Sequence, residues 1–305
     1  MAWATVPRIH ETRLFRKRNV VGVGIAKKVV GGRETDESCV VVFVERKVPK
    51  AQLRAKDLVP ETIEAMKTDV VETGRIQALQ ARTDRWRPAP GGVSIGHYRI
   101  TAGTLGVVGH RAGVRVILSN NHVLANANAA AIGDAILQPG PYDGGKDADR
   151  VATLDAFVPI IFDGFLDWLL SLFGIARPVR NVVDAALGKP LRDADVSDEI
   201  LEIGAVSGAV TGTIGMQVRK SGRTTGLTEG RITAVAATVR VSYGLTRTAR
   251  FRDQLVASVL SQGGDSGSLV VDAGNHAVGL LFAGSSNTTI LNPIAQVESL
   301  LGIAF

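Results

Sequence analysis

The chain has few of the residues that stabilise small secreted proteins. Its 305 residues include one cysteine, Cys39, so no disulfide can form within the chain. Because secreted domains commonly depend on disulfides, a chain without them suits a reducing compartment, and we predict a cytoplasmic location. Aromatic residues make up 5% and apolar residues 45% of the chain. Any core must therefore consist mainly of Val, Ile, Leu and Ala.

The sequence predicts neither a secretory signal nor a clear membrane span. Its first residues contain no continuous apolar stretch and are rich in arginine. The apolar segment 157–176 has nearly the length of a span, but a proline, two glycines and two aspartates interrupt it. We predict a helical insertion at about 155–178 that packs on the protein or supports a homo-oligomer. Membrane association is a minor alternative.

Part of the net charge of +6 comes from one short segment of the chain. Basic residues crowd the N-terminus at Arg8, Arg13, Arg16, Lys17 and Arg18. An excess of basic residues is compatible with binding to nucleic acid, to an anionic membrane or to an acidic protein partner. Because neither an aromatic RNA-binding strand nor a zinc-ligand spacing accompanies these residues, we expect no nucleic-acid partner.

The first part of the chain predicts a small α+β domain over residues 1–89. A basic, helical arm precedes two apolar runs, 20–30 and 38–49, which predict a hairpin with its turn in GGRETDE. Residues 58–74 predict a short helix followed by another strand. The stretch DRWRPAPGG, rich in proline and glycine, predicts the boundary to a second domain, residues 90–305.

The sequence of the second domain predicts an all-β architecture. Short Val-rich segments recur at regular intervals between glycine turns, as in TAGTLGVVGHRAGVRVILSNNHVLA. This spacing is typical of a sandwich or barrel rather than of a parallel sheet with helical crossovers. The final segment, AQVESLLGIAF, predicts a closing helix or coil.

The segment GGDSGS at 263–268 has the composition of a loop that holds a nucleophilic serine. Glycines beside Ser266 allow unusual dihedral angles and leave room for a substrate. The backbone N–H groups of Gly264 and Ser266 can together stabilise an oxyanion. Asp265 between them needs a buried cation to hold the loop. An ordinary Gly/Ser turn is the alternative, but GDSG downstream of a suitable histidine favours catalysis.

His122 follows the strand-like VRVILSN and is the predicted general base. A lone histidine there would be a core residue, but the downstream GDSG favours a catalytic role. A carboxylate must orient the imidazole. Asp184 in NVVDAALG has apolar neighbours, so its buried charge needs a partner such as His122. A helix N-cap is the alternative role for Asp184, and Asp198 and Asp155 are the alternative carboxylates.

The order His122, Asp184, Ser266, within NNHVL, VVDAAL and GGDSGS, resembles the trypsin- and chymotrypsin-fold serine proteases. The stretch SGRTTG and the strand after it are similar to those of the bacterial streptogrisin-type enzymes. GVGIAKK, VFVERKVP, ILQPGPYDGG and GLLFAGS resemble the plant narrow-leaf trypsin-like proteins and their bacterial relatives. The resemblance implies a mainly β fold of two six-stranded antiparallel β-barrels with the site between them, preceded by a small α+β domain.

The resemblance further implies a serine endopeptidase that acts on protein or peptide substrates through an acyl-enzyme, without a metal or organic cofactor. It implies Lys220 or Arg219 as the cation for Asp265, and Ser268 stands where the family commonly has glycine. Leu260 replaces the acidic pocket residue of trypsin, so we expect medium apolar side chains rather than Lys or Arg in the pocket. The implied pocket residues are Leu260, Ser261, Gln262, Phe282, Ala283 and Gly284.

Two other functions remain open from the sequence. One is a protease-fold module that binds or scaffolds proteins with little activity. The other is a basic protein that acts on nucleic acid or a membrane surface through its N-terminal arm.

Overall fold

The computed structural model describes residues 6–76, 80–100, 102–164, 173, 178–244 and 247–305. The chain divides into two compact units, residues 1–79 and 80–305. The stretch predicted as the boundary, 84–92, belongs to the second unit, because strand Ala89–Gly91 pairs in parallel with strand Val196–Ile200.

The first unit contains one helix and one sheet within residues 6–76. Its elements are α1 (Arg8–Phe15), β1 (Val20–Val30), β2 (Arg33–Val44), β3 (Thr62–Ile63) and β4 (Met66–Glu72). The strands lie in the order β1, β2, β4, β3, and β2 and β4 are parallel. The predicted hairpin is confirmed, with a tighter turn at Gly31 and Gly32, which both have positive φ. Leu14 of α1 packs with Val40 and Val42 of β2 in the core of this unit.

The helix predicted within 58–74 is wrong. Glutamate, alanine and methionine in that stretch favour a helix. Instead the chain reverses at Glu64, whose φ is 52°, and β3 pairs with β4 in a hairpin. β4 then pairs with β2, with Val70 opposite Val42. Strand pairing with a distant segment satisfies the backbone there and overrides the local helical propensity.

The second unit is mainly β, as predicted. Among the described residues of this unit, the helices are α2 (Asn121–Leu124) and α3 (Ile294–Leu301). Its strands are β5 (Ala89–Gly91), β6 (Ser94–His97), β7 (Gly103–Thr104), β8 (Val107–Arg111), β9 (Val114–Ser119), β10 (Ala135–Leu137), β11 (Arg150–Phe157), β12 (Ala186–Pro190), β13 (Val196–Ile200), β14 (Gly204–Ala205), β15 (Gln217–Gly222), β16 (Gly226–Tyr243), β17 (Arg247–Ser258), β18 (Leu269–Val271), β19 (Ala277–Gly284), β20 (Thr288–Pro293) and β21 (Ile303–Ala304).

The strands of this unit form two β-barrel-like halves. Within the described residues, one sheet has the order β21, β8, β9, β12, β11, β10, β6, β7, in which the edge strands β7 and β21 have two residues each. The other half closes into a barrel in the order β15, β16, β17, β20, β19, β18. The predicted fold class is therefore confirmed. Six strands form the barrel, and six longer strands form the body of the other sheet.

Apolar side chains fill both halves and the space between them. The first half buries a cluster that includes Ile95, Leu105, Ile117, Ile136 and Leu154. The barrel buries a second cluster, which includes Val218, Ile232, Leu255, Val270 and Leu281. A third cluster joins Leu118 and Leu187 of the first half to Leu269 and Leu280 of the barrel. Full burial of each such side chain contributes about 1.5–3 kcal/mol, so this contact holds the two halves together.

The apolar segment 157–176 lies mostly outside the described residues. Its beginning, up to Gly164, and Phe173 belong to the described part. After β11 this beginning has no regular secondary structure, and Asp163 pairs with Arg250 at 3.0 Å. The helix predicted there stays a prediction. Among the described helices, none is long and apolar enough to span a bilayer.

Candidate active site

His122 lies just beyond a strand of the first half. β9 ends at Ser119, and the chain then forms the single turn α2, which carries His122. The imidazole Nδ1 is 2.6 Å from Oδ2 of Asp184, and 23% of the side chain is exposed. Because a carboxylate only accepts hydrogen bonds, a neutral imidazole in this position carries its proton on Nδ1 and its lone pair on Nε2.

Asp184 is fully buried immediately before β12. Its Oδ1 accepts from the backbone N–H of His122 at 3.1 Å, and its Oδ2 also accepts from the hydroxyl of Tyr243 at 2.7 Å. Its own N–H donates to Asn292 at 2.9 Å, and its carbonyl accepts from Asn120 at 2.7 Å. A strand follows Asp184, so the helix N-cap alternative is wrong. Instead, the N–H of His122 and the hydroxyl of Tyr243 each donate to one oxygen of the carboxylate and hold it beside the imidazole.

The alternative carboxylates lie elsewhere. Asp155 forms an ion pair with Arg111 at 2.9 Å, and Asp198 forms one with Arg115. Both carboxylates are partly or largely exposed. Asp184 is therefore the carboxylate that contacts His122.

A histidine–aspartate contact alone does not mark the site. His97 and His276 each lie 3.1 Å from an aspartate carboxylate. Neither lines the cleft that contains Ser266, whereas His122 does. This cleft has a volume of about 970 Å³. Among the described histidines, His122 is thus the one that contacts a buried carboxylate and also lines a cleft with Ser266.

The loop before β18 carries the serine and two free donors. Among the described residues, the N–H groups of Gly264 and Ser266 have no acceptor. Gly264 has a φ of 98°, and a Cβ there would lie 2.4 Å from Oγ1 of Thr224. Only glycine fits this position, because other residues are strained at that φ and would also clash. The two N–H groups are therefore available to an oxyanion.

Thr104 stabilises this loop through hydrogen bonds, although no sequence motif identifies Thr104 as part of the site. Its N–H donates to the carbonyl of Ser266 at 2.8 Å, and its hydroxyl donates to the carbonyl of Gly264 at 2.9 Å. The same hydroxyl accepts from the N–H of Arg223 at 3.0 Å. Since Thr104 belongs to β7, these bonds tie the loop to the first half of the unit.

Asp265 lies beside the internal lysine that the resemblance implied. Nζ of Lys220 is 3.5 Å from Oδ2 of Asp265, and both side chains are fully buried. The carboxylate also accepts from the N–H groups of Thr224 at 2.8 Å and Gln262 at 2.9 Å, and from the hydroxyl of Thr225 at 2.7 Å. Burial lowers the pKa of Lys220 from its ordinary value, and the charge of Asp265 opposes that shift.

Two neighbours of this pair have clear partners of their own. Arg219, the alternative cation, donates to Asn275 at 2.7 Å instead of contacting Asp265. The Ser268 hydroxyl is buried and donates to the carbonyl of Asp265 at 2.7 Å. The side chain at Ser268 thus adds a hydrogen bond to the loop.

The implied pocket residues line two cavities, and Ala283 and Gly284 line both of them. Phe282 lines the cleft of His122, whereas Leu260 lines a cavity of about 670 Å³ that also reaches Ser266. No acidic side chain of the described residues lines this second cavity. Its walls are uncharged and carry several hydroxyl groups, from Thr225, Thr228, Ser261, Ser285 and Ser286, next to Gln262, Ala283 and Gly284.

Tyr243 belongs to the site but was not predicted from the sequence. Its ring meets the imidazole of His122 edge to face, with centroids 5.9 Å apart and planes at 72°. Burial, together with the nearby charge of Asp184, raises the pKa of Tyr243 well above its ordinary value. The phenol is therefore a permanent neutral donor to Asp184. It reaches this place because β16 extends beyond the barrel body to the cleft.

No family model matches the chain. Streptogrisin A of Streptomyces griseus is 34% identical over 99 residues, which cover 29% of this chain and 30% of that protein. Among solved structures, a Nocardiopsis protease has a TM-score of 0.49 at 20% identity, covering 70% of this chain and 96% of that one. The chymotrypsin of Cellulomonas bogoriensis has a TM-score of 0.46 at 19% identity, with the same two coverages.

The match to streptogrisin A supports the resemblance to chymotrypsin-type serine proteases. Because the chain spans only 30% of that relative, the match does not carry an activity over to the whole protein. The narrower resemblance to the plant narrow-leaf proteins stays a prediction.

Proposed function

We propose that this chain is a serine endopeptidase of the chymotrypsin type. The observation that carries the proposal is the imidazole of His122, held at 2.6 Å by the buried Asp184 in a cleft that also contains Ser266. In this tautomer Nε2 is a base, and the hydroxyl of a serine that lines the same cleft is the kind of group that such a base activates.

In the first half of the reaction, Oγ of Ser266 attacks the peptide carbonyl carbon while its proton moves to Nε2 of His122. The carbonyl oxygen becomes an oxyanion, and the N–H groups of Gly264 and Ser266 stabilise it. When the carbon–nitrogen bond breaks, His122 gives its proton to the leaving amine. An ester between the substrate acyl group and Ser266 remains.

In the second half, water replaces the amine. His122 takes a proton from the water as its oxygen attacks the ester carbonyl, and the proton then returns to Oγ of Ser266 as the acid product leaves. Asp184 stays ionised throughout and stabilises the imidazolium that forms in each half. Tyr243 and the buried setting fix the carboxylate for this task.

The cavity beside Ser266 supports selection of an uncharged side chain. A lysine or arginine would find no carboxylate among the described lining residues, and desolvating its charge would be unfavourable. The hydroxyl-bearing walls add polar partners to the apolar contacts offered by Leu260 and Leu281. Paired peptides that differ only in this residue test the preference. Faster cleavage after lysine or arginine than after a medium uncharged residue would contradict it.

One edge strand offers backbone groups to an extended peptide. β19 pairs with β20 up to Gly284, but on its other side it pairs with β18 only as far as Leu280. Residues 282–284 line the cleft of His122. A substrate segment can therefore add to this edge as a further strand and bring its carbonyl to Ser266.

Removal of each catalytic group tests the activity. We expect Ser266→Ala and His122→Ala to lower kcat by about 10⁴-fold or more, and Asp184→Asn to lower it strongly because the amide supports the wrong tautomer. His276→Ala is the matched control, since His276 also pairs with an aspartate but lies outside the cleft. Peptide hydrolysis that survives Ser266→Ala unchanged would contradict the role of Ser266 as nucleophile, whereas a wild-type protein that cleaves no peptide would favour the scaffold alternative.

A further inference from the structure

The charged side chains that line the cleft of His122 and Ser266 are all positive among the described residues. Arg99, Arg240 and Arg247 all line it, and no Asp or Glu of the described residues does. A cleft with one sign of charge concentrates ligands of the opposite sign and accelerates their association. The charge therefore bears on which substrates reach the serine.

These arginines differ from most others in their unit. Within residues 80–305, nine described arginines lie within hydrogen-bond distance of a carboxylate, Arg111, Arg223 and Arg250 among them. In the part of the chain that the structure describes, no carboxylate pairs with the three arginines of the cleft. The carboxylate of Asp134 interacts electrostatically with Arg99 without forming an ion pair. Among the described residues, the charges of Arg240 and Arg247 are left for a ligand.

Aromatic rings hold two of these cations in place. The guanidinium of Arg99 lies 5.0 Å from the ring centroid of Tyr98, and that of Arg247 lies 4.7 Å from the centroid of Phe162. A cation–π contact orients a guanidinium while it leaves the N–H groups free to bind an anion.

The positive cleft is not a by-product of a basic unit. Residues 80–305 contain twenty of the 35 Lys and Arg residues and nineteen of the 29 Asp and Glu residues, so this unit is nearly neutral. Most of the net charge of +6 lies in residues 1–79. Positive charge at the cleft is thus a local arrangement.

Two of the arginines lie on the strand pair that also carries Tyr243. Arg240 is on β16, and Arg247 on β17 is the cross-strand partner of Tyr243. Since the hydroxyl of Tyr243 contacts Asp184, these cations flank the catalytic groups. An extended peptide advances about 3.3 Å per residue, so side chains within a few residues of the cleaved bond pass along this cleft.

We infer that the cleft selects peptides that carry Asp or Glu side chains near the cleaved bond. The inference rests on the proposed peptidase activity and names its substrate class. Arg240 and Arg247 bind the substrate carboxylates, and Arg99 adds a third cation to the same cleft. The residue inside the pocket beside Ser266 remains uncharged, because that cavity has no cation in its described lining.

Matched peptides test the inference. Each pair shares one uncharged residue at the cleaved bond and carries either Asp and Glu or Asn and Gln in the flanking positions. We expect kcat/KM to be about tenfold or more higher for the acidic member at low ionic strength. The ratio should fall toward one as salt is added, because salt screens exposed charges.

The double variant Arg240→Gln with Arg247→Gln should reduce the ratio between acidic and neutral peptides to about twofold or less. Arg231→Gln is the matched control, because Arg231 is an exposed arginine of the same strand that does not line the cleft. It should leave the ratio unchanged. Equal kcat/KM for acidic and neutral peptides at low salt would overturn the inference, as would a preference that the double variant retains.

The same experiments distinguish failure of this inference from failure of the proposed peptidase activity. If the enzyme cleaves the neutral peptides through Ser266 but shows no acidic preference, the proposed function stands and the inference is wrong. If no peptide of either kind is cleaved and a fluorophosphonate does not label Ser266, the proposed function itself is wrong, and the inference falls with it.

Discussion

Among the described residues, the carboxylate of Asp184 accepts from two groups of His122 and from Tyr243. The phenol adds a donor that stays protonated, because burial and the carboxylate raise its pKa. It therefore fixes the direction of Oδ2 without exchanging a proton. Tyr243 is a positioning residue that acts on the base through Asp184.

Replacement of Tyr243 by phenylalanine isolates this contact. Tyr243→Phe keeps the ring beside the imidazole and removes only the hydroxyl that donates at 2.7 Å. Loss of a hydrogen bond to a charged group amounts to about 1.5–3 kcal/mol, so we expect kcat to fall roughly tenfold or more while KM changes little. Tyr142→Phe, at an exposed tyrosine, is the control for steady-state kinetics. An unchanged kcat in Tyr243→Phe would show that the phenol does not position Asp184.

Lys220 and Asp265 form the other buried contact on which the site depends. Lys220→Ala leaves the carboxylate of Asp265 without its counter-ion in a fully buried place. Breaking a buried pair in this way destabilises a protein by about 3–5 kcal/mol, so the urea midpoint of unfolding should fall markedly. Arg219→Ala, which removes the cation bonded to Asn275, should have a much smaller effect. Similar shifts for both variants would contradict the assignment of Lys220 as the partner of Asp265.

Residue roles were predictable from the sequence only where neighbours in the chain reveal them. Ser266 and His122 lie in short motifs, and Asp184 stands out because apolar residues flank it. Tyr243 and Thr104 have no such signal. Their contacts join positions 59 and 160 residues apart in the chain, so they follow from strand pairing rather than from local composition.

At the scale of elements, the loop 263–268 decides whether an oxyanion can be stabilised. Its shape depends on the positive φ of Gly264, the bonds from Thr104 and the buried carboxylate of Asp265. Gly264 and Asp265 belong to the loop itself, whereas Thr104 lies on β7 and Lys220, the partner of Asp265, lies on β15. The loop is therefore held in place before any substrate binds, as electrostatic stabilisation requires.

A pair of alanine variants tests this loop. Gly264→Ala places a Cβ 2.4 Å from the hydroxyl of Thr224 at a φ of 98°, and it should lower kcat by about 10²–10³-fold through loss of the oxyanion site. Gly263→Ala has open space around the added carbon and should change kcat far less. Kinetics of the two variants, with circular dichroism to confirm folding, measure the difference. An equal loss of kcat in both variants would show that catalysis does not depend on the backbone conformation at Gly264.

Elements were predicted well where turn residues mark their ends. The turn at Ala112 and Gly113 joins β8 and β9 as the sequence indicated, with positive φ at both residues. The hairpin of β3 and β4 was predicted as a helix, because its residues favour a helix and only pairing with β2 makes it a strand. Local propensity cannot reveal a partner strand that lies more than twenty residues away.

At the scale of the whole molecule, each unit has a core of its own. The apolar cluster around Leu14 and Val42 lies entirely within residues 1–79, and the other clusters lie entirely within residues 80–305. All catalytic groups of the proposed mechanism also belong to residues 80–305. A domain with its own core folds alone in favourable cases, so the larger unit is a candidate for independent expression.

A fragment of residues 80–305 should therefore fold and keep the catalytic groups in place. We expect a cooperative thermal unfolding transition and a β-type circular dichroism spectrum. The fragment carrying Ser266→Ala is the control for any activity measured. An unfolded or aggregated fragment would show that the larger unit depends on residues 1–79.

The central claim is that His122 activates Ser266. Reaction with a fluorophosphonate, followed by peptide mapping with mass spectrometry, tests it most directly, since such probes modify a serine that a general base activates. The account predicts a label on Ser266 that is absent in Ser266→Ala, greatly reduced in His122→Ala and unchanged in His276→Ala. No label on Ser266, or a label that forms equally fast without His122, would contradict it.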